Sequence, residues 1–270
     1  MSHTDTRVIR VLLIEDEEAH YHVTRVLLER AERSRFALDW ARSYSQARAT
    51  MAEQAHDIYL VDYFLEDRTG LDLIRDIARG ENPMPVIMLT GKGDRSVDME
   101  AMKAGAADYL VKGHIDPQAL ERSILYALES HAARRALMEA EARSRRTFER
   151  LPIGLFRIDE DGELIEANPA LQEILGYPDE ALLRNGYARD LFVSPAHAVD
   201  VRVRLAKGGS LSGFASELTK VDGTAVAVSV SLWTCDLGQG RTYLEGTVER
   251  LSERPHPAAA ATAASKPRLP

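Results

Sequence analysis

The chain has 270 residues, 45% hydrophobic and 28% charged, with 42 acidic against 34 basic side chains and a formal charge of -8. That balance describes a soluble globular protein long enough for two domains with their own cores, and not a disordered or membrane-embedded chain. The negative charge argues against a nucleic-acid partner, and no apolar run approaches the roughly 18 residues needed to cross a bilayer.

The apolar run over 8–14 is broken by Arg10 and runs straight into Glu15, Asp16, Glu17 and Glu18, so it is no secretion signal. The single cysteine, Cys235, has no partner within the chain, which suits a reducing compartment, and it reads as a small apolar filler. A cytoplasmic protein without membrane contact is expected.

Residues 1–130 alternate short apolar runs with amphipathic stretches, the pattern of a parallel sheet wrapped by helices. Strands are expected over 8–14, 36–41, 58–61, 86–89 and 109–111. Helices are expected over 19–33, 44–54, 71–78, 95–104 and 117–130, the last starting at Pro117 behind a capping Asp116. Five strand–helix pairs make an α/β doubly wound domain, the (βα)5 flavodoxin-like arrangement.

Residues 131–150 are rich in Ala, Glu and Arg without glycine or proline, which favours a helical linker. Tyr126, Ala133, Leu137, Ala140, Ser144, Thr147 and Leu151 follow a three-four spacing diluted by small and polar residues. Both a dimer seam and a solvated signalling helix fit it. Arg134, Arg135, Arg143, Arg145, Arg146 and Arg150 interleave with Glu139, Glu141 and Glu149 as on a salt-bridged exposed helix.

After residue 151 the pattern turns to short strands: 155–158 and 164–167 around Asp161-Gly162, then a helix over 169–175. Strands at 213–220, 225–235 and 241–248 follow, the first two joined by the turn Val221-Asp222-Gly223-Thr224. This is an α+β domain with an antiparallel sheet, covering 151–253. Phe156, Phe192, Phe214 and Trp233 are its expected core aromatics. The Ala- and Pro-rich segment 254–270 is expected to be disordered.

In doubly wound sheets, chemistry gathers at the carboxyl ends of the strands. Glu15 and Asp16 end the first strand, Asp62 the third, Thr90 the fourth and Lys112 the fifth. Carboxylates brought together by a fold need a compensating cation, and all-oxygen ligands of high negative charge suit Mg²⁺. With metal and ammonium neutralising the transferring oxygens, the carboxylate of Asp62 can attack a phosphoryl group, while Thr90 and Lys112 hold its oxygens.

Residues 7–130 resemble the receiver domain of response regulators of two-component systems. The resemblance rests on Val11-Leu12-Leu13-Ile14-Glu15-Asp16-Glu17, Leu60-Val61-Asp62-Tyr63, Gly70, Val86-Ile87-Met88-Leu89-Thr90-Gly91 and Asp108-Tyr109-Leu110-Val111-Lys112. It implies that Glu15, Asp16, Asp62 and the Phe64 carbonyl bind Mg²⁺ and that Asp62 is the phosphoacceptor for a sensor histidine kinase. Thr90 and Tyr109 would form a switch pair acting on the face of the fourth and fifth helices. Two departures stand out: Glu66 occupies a frequent proline position, and Gly113 follows Lys112 where proline and a cis peptide are usual. Bulky Phe64 is a candidate shield of the acyl phosphate.

Residues 151–253 resemble a PAS domain, through Leu151-Pro152-Ile153-Gly154, Ile158-Asp159-Glu160-Asp161-Gly162, Ala167-Asn168-Pro169-Ala170, Leu175-Gly176-Tyr177 and Gly246-Thr247-Val248-Glu249. Cys235 lies in an apolar strand and argues against a flavin adduct. His197 reads as a surface residue rather than a haem ligand, so the PAS ligand is unknown and none is expected. His131 lacks the neighbouring acid and the ATP site of a kinase histidine. The expected protein is a phosphorylation-controlled regulator without an output enzyme, acting through a homodimer or a downstream protein. Open alternatives are a PAS ligand sensor tuned by the receiver, and a phosphate sink or relay intermediate.

Overall fold

A computed structural model describes residues 7–65, 68–80, 83–91, 95–159, 163–179, 183–184, 210–236 and 242–251. The chain divides between Glu139 and Ala140 into two compact units. Glu66, the Asp161-Gly162 turn, Phe192, His197 and the segment 254–270 lie outside the described residues.

In the first unit the order is β1 (Val8–Ile14), α1 (Glu18–Glu29), β2 (Arg35–Ala41), α2 (Tyr44–Ala52), β3 (Ile58–Asp62), β4 (Phe64–Leu65), β5 (Arg68–Thr69), α3 (Gly70–Ala78), β6 (Val86–Thr90), α4 (Arg95–Ala104) and β7 (Asp108–Val111), with α5 (Pro117–Arg150) last. β2-β1-β3-β6-β7 form one parallel sheet. Alternate residues of each central strand face opposite layers. Leu12, Ile14, Val61 and Met88 pack with Leu71 and Ile74 of α3 and Ala101 of α4, while Val11, Leu13, Leu60 and Leu89 pack with Leu28 of α1 and Leu120 and Ile124 of α5. Burial on both faces is why these strands read as continuous apolar runs.

Two local differences have identifiable causes. Helix α1 stops at Glu29 rather than 33, and the Arg33 N–H instead donates to the buried Glu121 carboxylate of α5 (3.1 Å). The linker continues the preceding helix, as its composition suggests, and α5 runs unbroken for 34 residues. Its start is capped as expected, the Ala119 N–H donating to Asp116 Oδ1 at 2.7 Å. Finally, β4 and β5 form a two-residue antiparallel ribbon directly after Asp62. On α5, the His131 ring lies 2.8 Å from the Pro83 carbonyl oxygen, and Arg135 pairs with Glu139 at 3.2 Å.

The second unit contains β8 (Gly154–Ile158), β9 (Leu164–Ala167), α6 (Pro169–Leu175), β10 (Ser210–Thr219), β11 (Ala225–Asp236) and β12 (Thr242–Arg250), with antiparallel sheet order β10-β11-β12-β8-β9. Phe156, Leu171, Leu175, Val228, Val230, Leu232 and Val248 form its core, with Phe214 packed against it. Trp233 does not join that core. In β11 the even-numbered Val228, Val230 and Leu232 point inward, so Trp233 and the half-buried Cys235 fall on the opposite face, where the indole N–H donates to Glu245 (3.0 Å). Gly246 is required by its surroundings, since a Cβ there would lie 2.4 Å from the Phe156 ring and 2.6 Å from Leu232.

Asn168 organises the start of α6. It is fully buried; its Oδ1 accepts from Leu155 N (2.8 Å) and Leu171 N (3.1 Å), and its Nδ2 donates to the carbonyls of Phe148 (3.0 Å) and Ile153 (2.9 Å). Every hydrogen-bonding position of the amide is used. The β10–β11 turn closes as its sequence suggests, with Gly223 at φ +83° and Asp222 Oδ1 accepting from the Thr224 N–H (2.9 Å).

Candidate functional site: an acidic cluster at the sheet edge

Glu15, Asp16, Asp62, Thr90 and Lys112 stand at the carboxyl edge of the parallel sheet, whereas Tyr109 lies within β7 and Phe64 in the β4–β5 ribbon. Glu15, immediately after β1, is fixed by its backbone: its N–H donates to the Ala41 carbonyl (3.0 Å) and its own carbonyl accepts the Trp40 indole N–H (2.7 Å). Asp62 closes β3, and its Oδ1 accepts the Tyr63 N–H at 2.8 Å. Thr90 closes β6 opposite Val111, the residue before Lys112. Glu15, Asp62 and Thr90 are all buried, whereas Asp16 is half-buried.

The Lys112 ammonium joins two of these groups, with Nζ 2.7 Å from Glu15 Oε2 and 2.9 Å from Asp62 Oδ1. A third neighbour, His20 Nδ1 of α1, lies 3.1 Å away. His20 lies outside the sequence motifs, although its place on the helix just after Glu15 and Asp16 is a signal that could have found it.

Glu15, Asp16 and Asp62 each present an oxygen, and the three lie within 4.8 Å of one another. A hard, oxygen-only, strongly anionic donor set fits Mg²⁺. The titration of Asp62 agrees: burial pushes its carboxyl up to about 6, the Lys112 hydrogen bond pulls it down, and the Glu15 charge pushes it up again. Burial thus outweighs the relief that the Lys112 ammonium gives to the Asp62 charge.

This carboxyl is an acid with a raised folded-state pKa, so ionising it costs stability. The cost is absent well below the ordinary value of 3.8, grows as pH rises, and is complete above about 6. In chelator, Asp62→Asn is expected to be more stable than the parent by about 1–3 kcal/mol near pH 8 and equal to it near pH 3. Hydrogen–deuterium exchange protection of β1 and β3 in both proteins at the two pH values checks this, and an unchanged gap would contradict it.

Gly70, at the start of α3, packs against the backbone of Asp62. Its N–H donates to the Tyr63 carbonyl (2.8 Å), and a Cβ would fall 2.1 Å from the Asp62 carbonyl oxygen. The Phe64 ring is 69% exposed and meets Tyr63 edge-on at 4.7 Å. Tyr109 is 36% exposed. Lys112 and Gly113 open a short 3-10 turn, and no cis peptide occurs among the described residues.

Comparison with known proteins agrees with this geometry. Residues 11–125 match the response regulator receiver domain family, and residues 142–207 match the PAS domain family. The chain is 25% identical over 240 residues to the transcriptional regulatory protein ResD of Bacillus subtilis, covering 84% of this chain and 94% of ResD. It is 32% identical over 117 residues to the response regulator RppA of Synechocystis sp., covering 42% of this chain and 48% of RppA. A solved response regulator receiver domain protein from Clostridium thermocellum is 29% identical, with a TM-score of 0.42, over 48% of this chain and 98% of that one. The acidic edge and the parallel sheet thus fall within the receiver-domain match, and β8, β9 and α6 fall within the PAS-domain match; the chain carries a response regulator receiver domain followed by a PAS domain.

Proposed function

We propose that Asp62 is the phosphoacceptor of this protein and that a sensor histidine kinase is its phosphodonor. The observation that carries this reading is the nearly buried Asp62 carboxylate, held by Lys112 at 2.9 Å and grouped with Glu15 and Asp16. An Asp62 oxygen attacks the phosphorus of the kinase's phosphohistidine. A P–O bond forms, the P–N bond breaks, and the departing imidazole takes up a proton. Lys112 and Thr90 hold phosphoryl oxygens, and burial keeps water from the acyl phosphate.

Glu15, Asp16, Asp62 and the Phe64 carbonyl would hold Mg²⁺, which supplies positive charge opposite the transferring oxygens. Thr90 and Tyr109 form the switch: Thr90 is drawn to the phosphoryl group, and the partly exposed Tyr109 ring follows it inward. We assign residues 1–130 to the receiver, 131–150 to the linker, 151–253 to the PAS domain and 254–270 to a tail. No helix among the described residues is long and apolar enough to cross a membrane, in keeping with a cytoplasmic protein.

The output reading is a phosphorylation-dependent homodimer or partner contact. Tyr126 and Leu137 support it, being 67% and 60% exposed apolar residues on the expected seam of α5. Acetyl phosphate with Mg²⁺ is expected to label the protein and to leave Asp62→Asn unlabelled; equal labelling of both ends the proposal. Light scattering with beryllofluoride, an acyl-phosphate mimic, then reads the output. A rise in assembly mass supports the dimer, while unchanged mass favours the phosphate sink. ResD, a transcriptional regulatory protein, is matched over 94% of its length, but the -8 net charge here favours a protein rather than nucleic-acid partner.

A further inference from the structure

The Lys112 ammonium has three N–H donors and no acceptor. Three acceptors surround it: Glu15 Oε2 at 2.7 Å, Asp62 Oδ1 at 2.9 Å and His20 Nδ1 at 3.1 Å. The first two belong to the carboxylates that would also face the metal and the phosphoryl group. His20 is the remaining acceptor, and it stands on a different element, the first turn of α1. Because an ammonium can only donate, this contact is made by the tautomer that carries its proton on Nε2 and turns the Nδ1 lone pair to Lys112. The same Nδ1 also lies 3.2 Å from Glu15 Oε1 and 3.4 Å from Glu17 Oε2, contacts that the opposite tautomer would make as a donor, and the side chain is 39% exposed.

We propose that His20 is a positioning residue for phosphoryl transfer: its Nδ1 holds the Lys112 ammonium over the Asp62 carboxylate when Glu15 and Asp62 are engaged elsewhere. A lysine on a flexible four-carbon stem is poorly placed by one carboxylate alone, and an acceptor outside the metal set restricts it without competing for the cation. The histidine touches no reacting atom in this arrangement. This inference rests on the phosphoacceptor reading of Asp62.

The test uses the full chain with acetyl phosphate and Mg²⁺, following phosphorylation by phosphate-affinity gel and Mg²⁺ binding by calorimetry. Two variants separate the acceptor from the bulk of the ring. His20→Leu fills the space without an acceptor, whereas the Oδ1 of His20→Asn can take the place of Nδ1. His20→Leu is expected to slow phosphorylation about tenfold while changing Mg²⁺ affinity by less than about twofold. His20→Asn is expected to recover most of the rate. Wild-type speed in His20→Leu overturns the proposal. So does His20→Asn remaining as slow as His20→Leu, or Mg²⁺ affinity falling in step with rate, which would place the histidine in the service of the metal site. Failure of the phosphoacceptor reading is distinguishable, because then the unaltered protein takes up no phosphate on Asp62.

Discussion

Asn168→Ala is expected to unfold or severely loosen the second domain, at a cost of about 3–5 kcal/mol. The substitution leaves the Leu155 N–H and the carbonyls of Phe148 and Ile153 without their side-chain partner, while the Leu171 N–H keeps only its bond to the Asn168 backbone carbonyl. A buried polar group stripped of its partner costs about 1–3 kcal/mol, and the sum is less than additive because the cavity admits some water. Asn168→Asp keeps both acceptor functions but sets an anion against two carbonyl oxygens, so it is expected to rescue little. Hydrogen–deuterium exchange resolved by peptide is the right measurement, since a two-domain chain has no single unfolding free energy. Peptides from β8 and β12 should lose protection while those from β1 and β3 keep theirs. Unchanged exchange in β8 would show that Asn168 is not the hub its bonds suggest.

Gly70→Ala should cost the receiver about 2–4 kcal/mol and weaken Mg²⁺ binding as well. No unusual backbone angle is involved. The obstacle is the Asp62 carbonyl oxygen, which stands 2.1 Å from where the new methyl carbon would be, with the Val61 side chain at 2.9 Å. Backbone cannot rotate away as a flexible side chain can, so either α3 backs off or the end of β3 shifts and carries the Asp62 carboxylate with it. Exchange protection in β3 together with Mg²⁺ calorimetry reads both consequences. A variant with native β3 protection and native Mg²⁺ affinity would contradict the steric argument.

Legibility from sequence followed how far each feature depends on distant residues. The buried strands β1 and β6 were plain because burial on both faces leaves only apolar choices. The acidic edge was equally plain, since strand ends are where a doubly wound sheet collects charge and Glu15, Asp62 and Lys112 sit at three of them. The end of α1 was not, because a bond from Arg33 to Glu121, 88 positions away, decides it. The β4–β5 ribbon is two residues per strand and carries no periodicity. Trp233 was misjudged as core because an apolar run hides which of its alternating faces is inward. His20 was missed because helix geometry brings it to Lys112, 92 positions later, and only its place just after Glu15 and Asp16 points to it.

Trp40 gives this protein an optical reporter of its own. Its indole N–H is bonded to the Glu15 carbonyl, its ring is stacked on Tyr21 at 4.2 Å, and the Arg42 guanidinium lies 4.1 Å from its centroid. Any rearrangement of the peptide at Glu15 changes the polarity felt by that indole and hence its emission. The chain's other tryptophan, Trp233, is bonded to Glu245 in the second unit and serves as an internal reference. A Trp233→Phe background therefore isolates the acidic edge spectroscopically, with no dye attached.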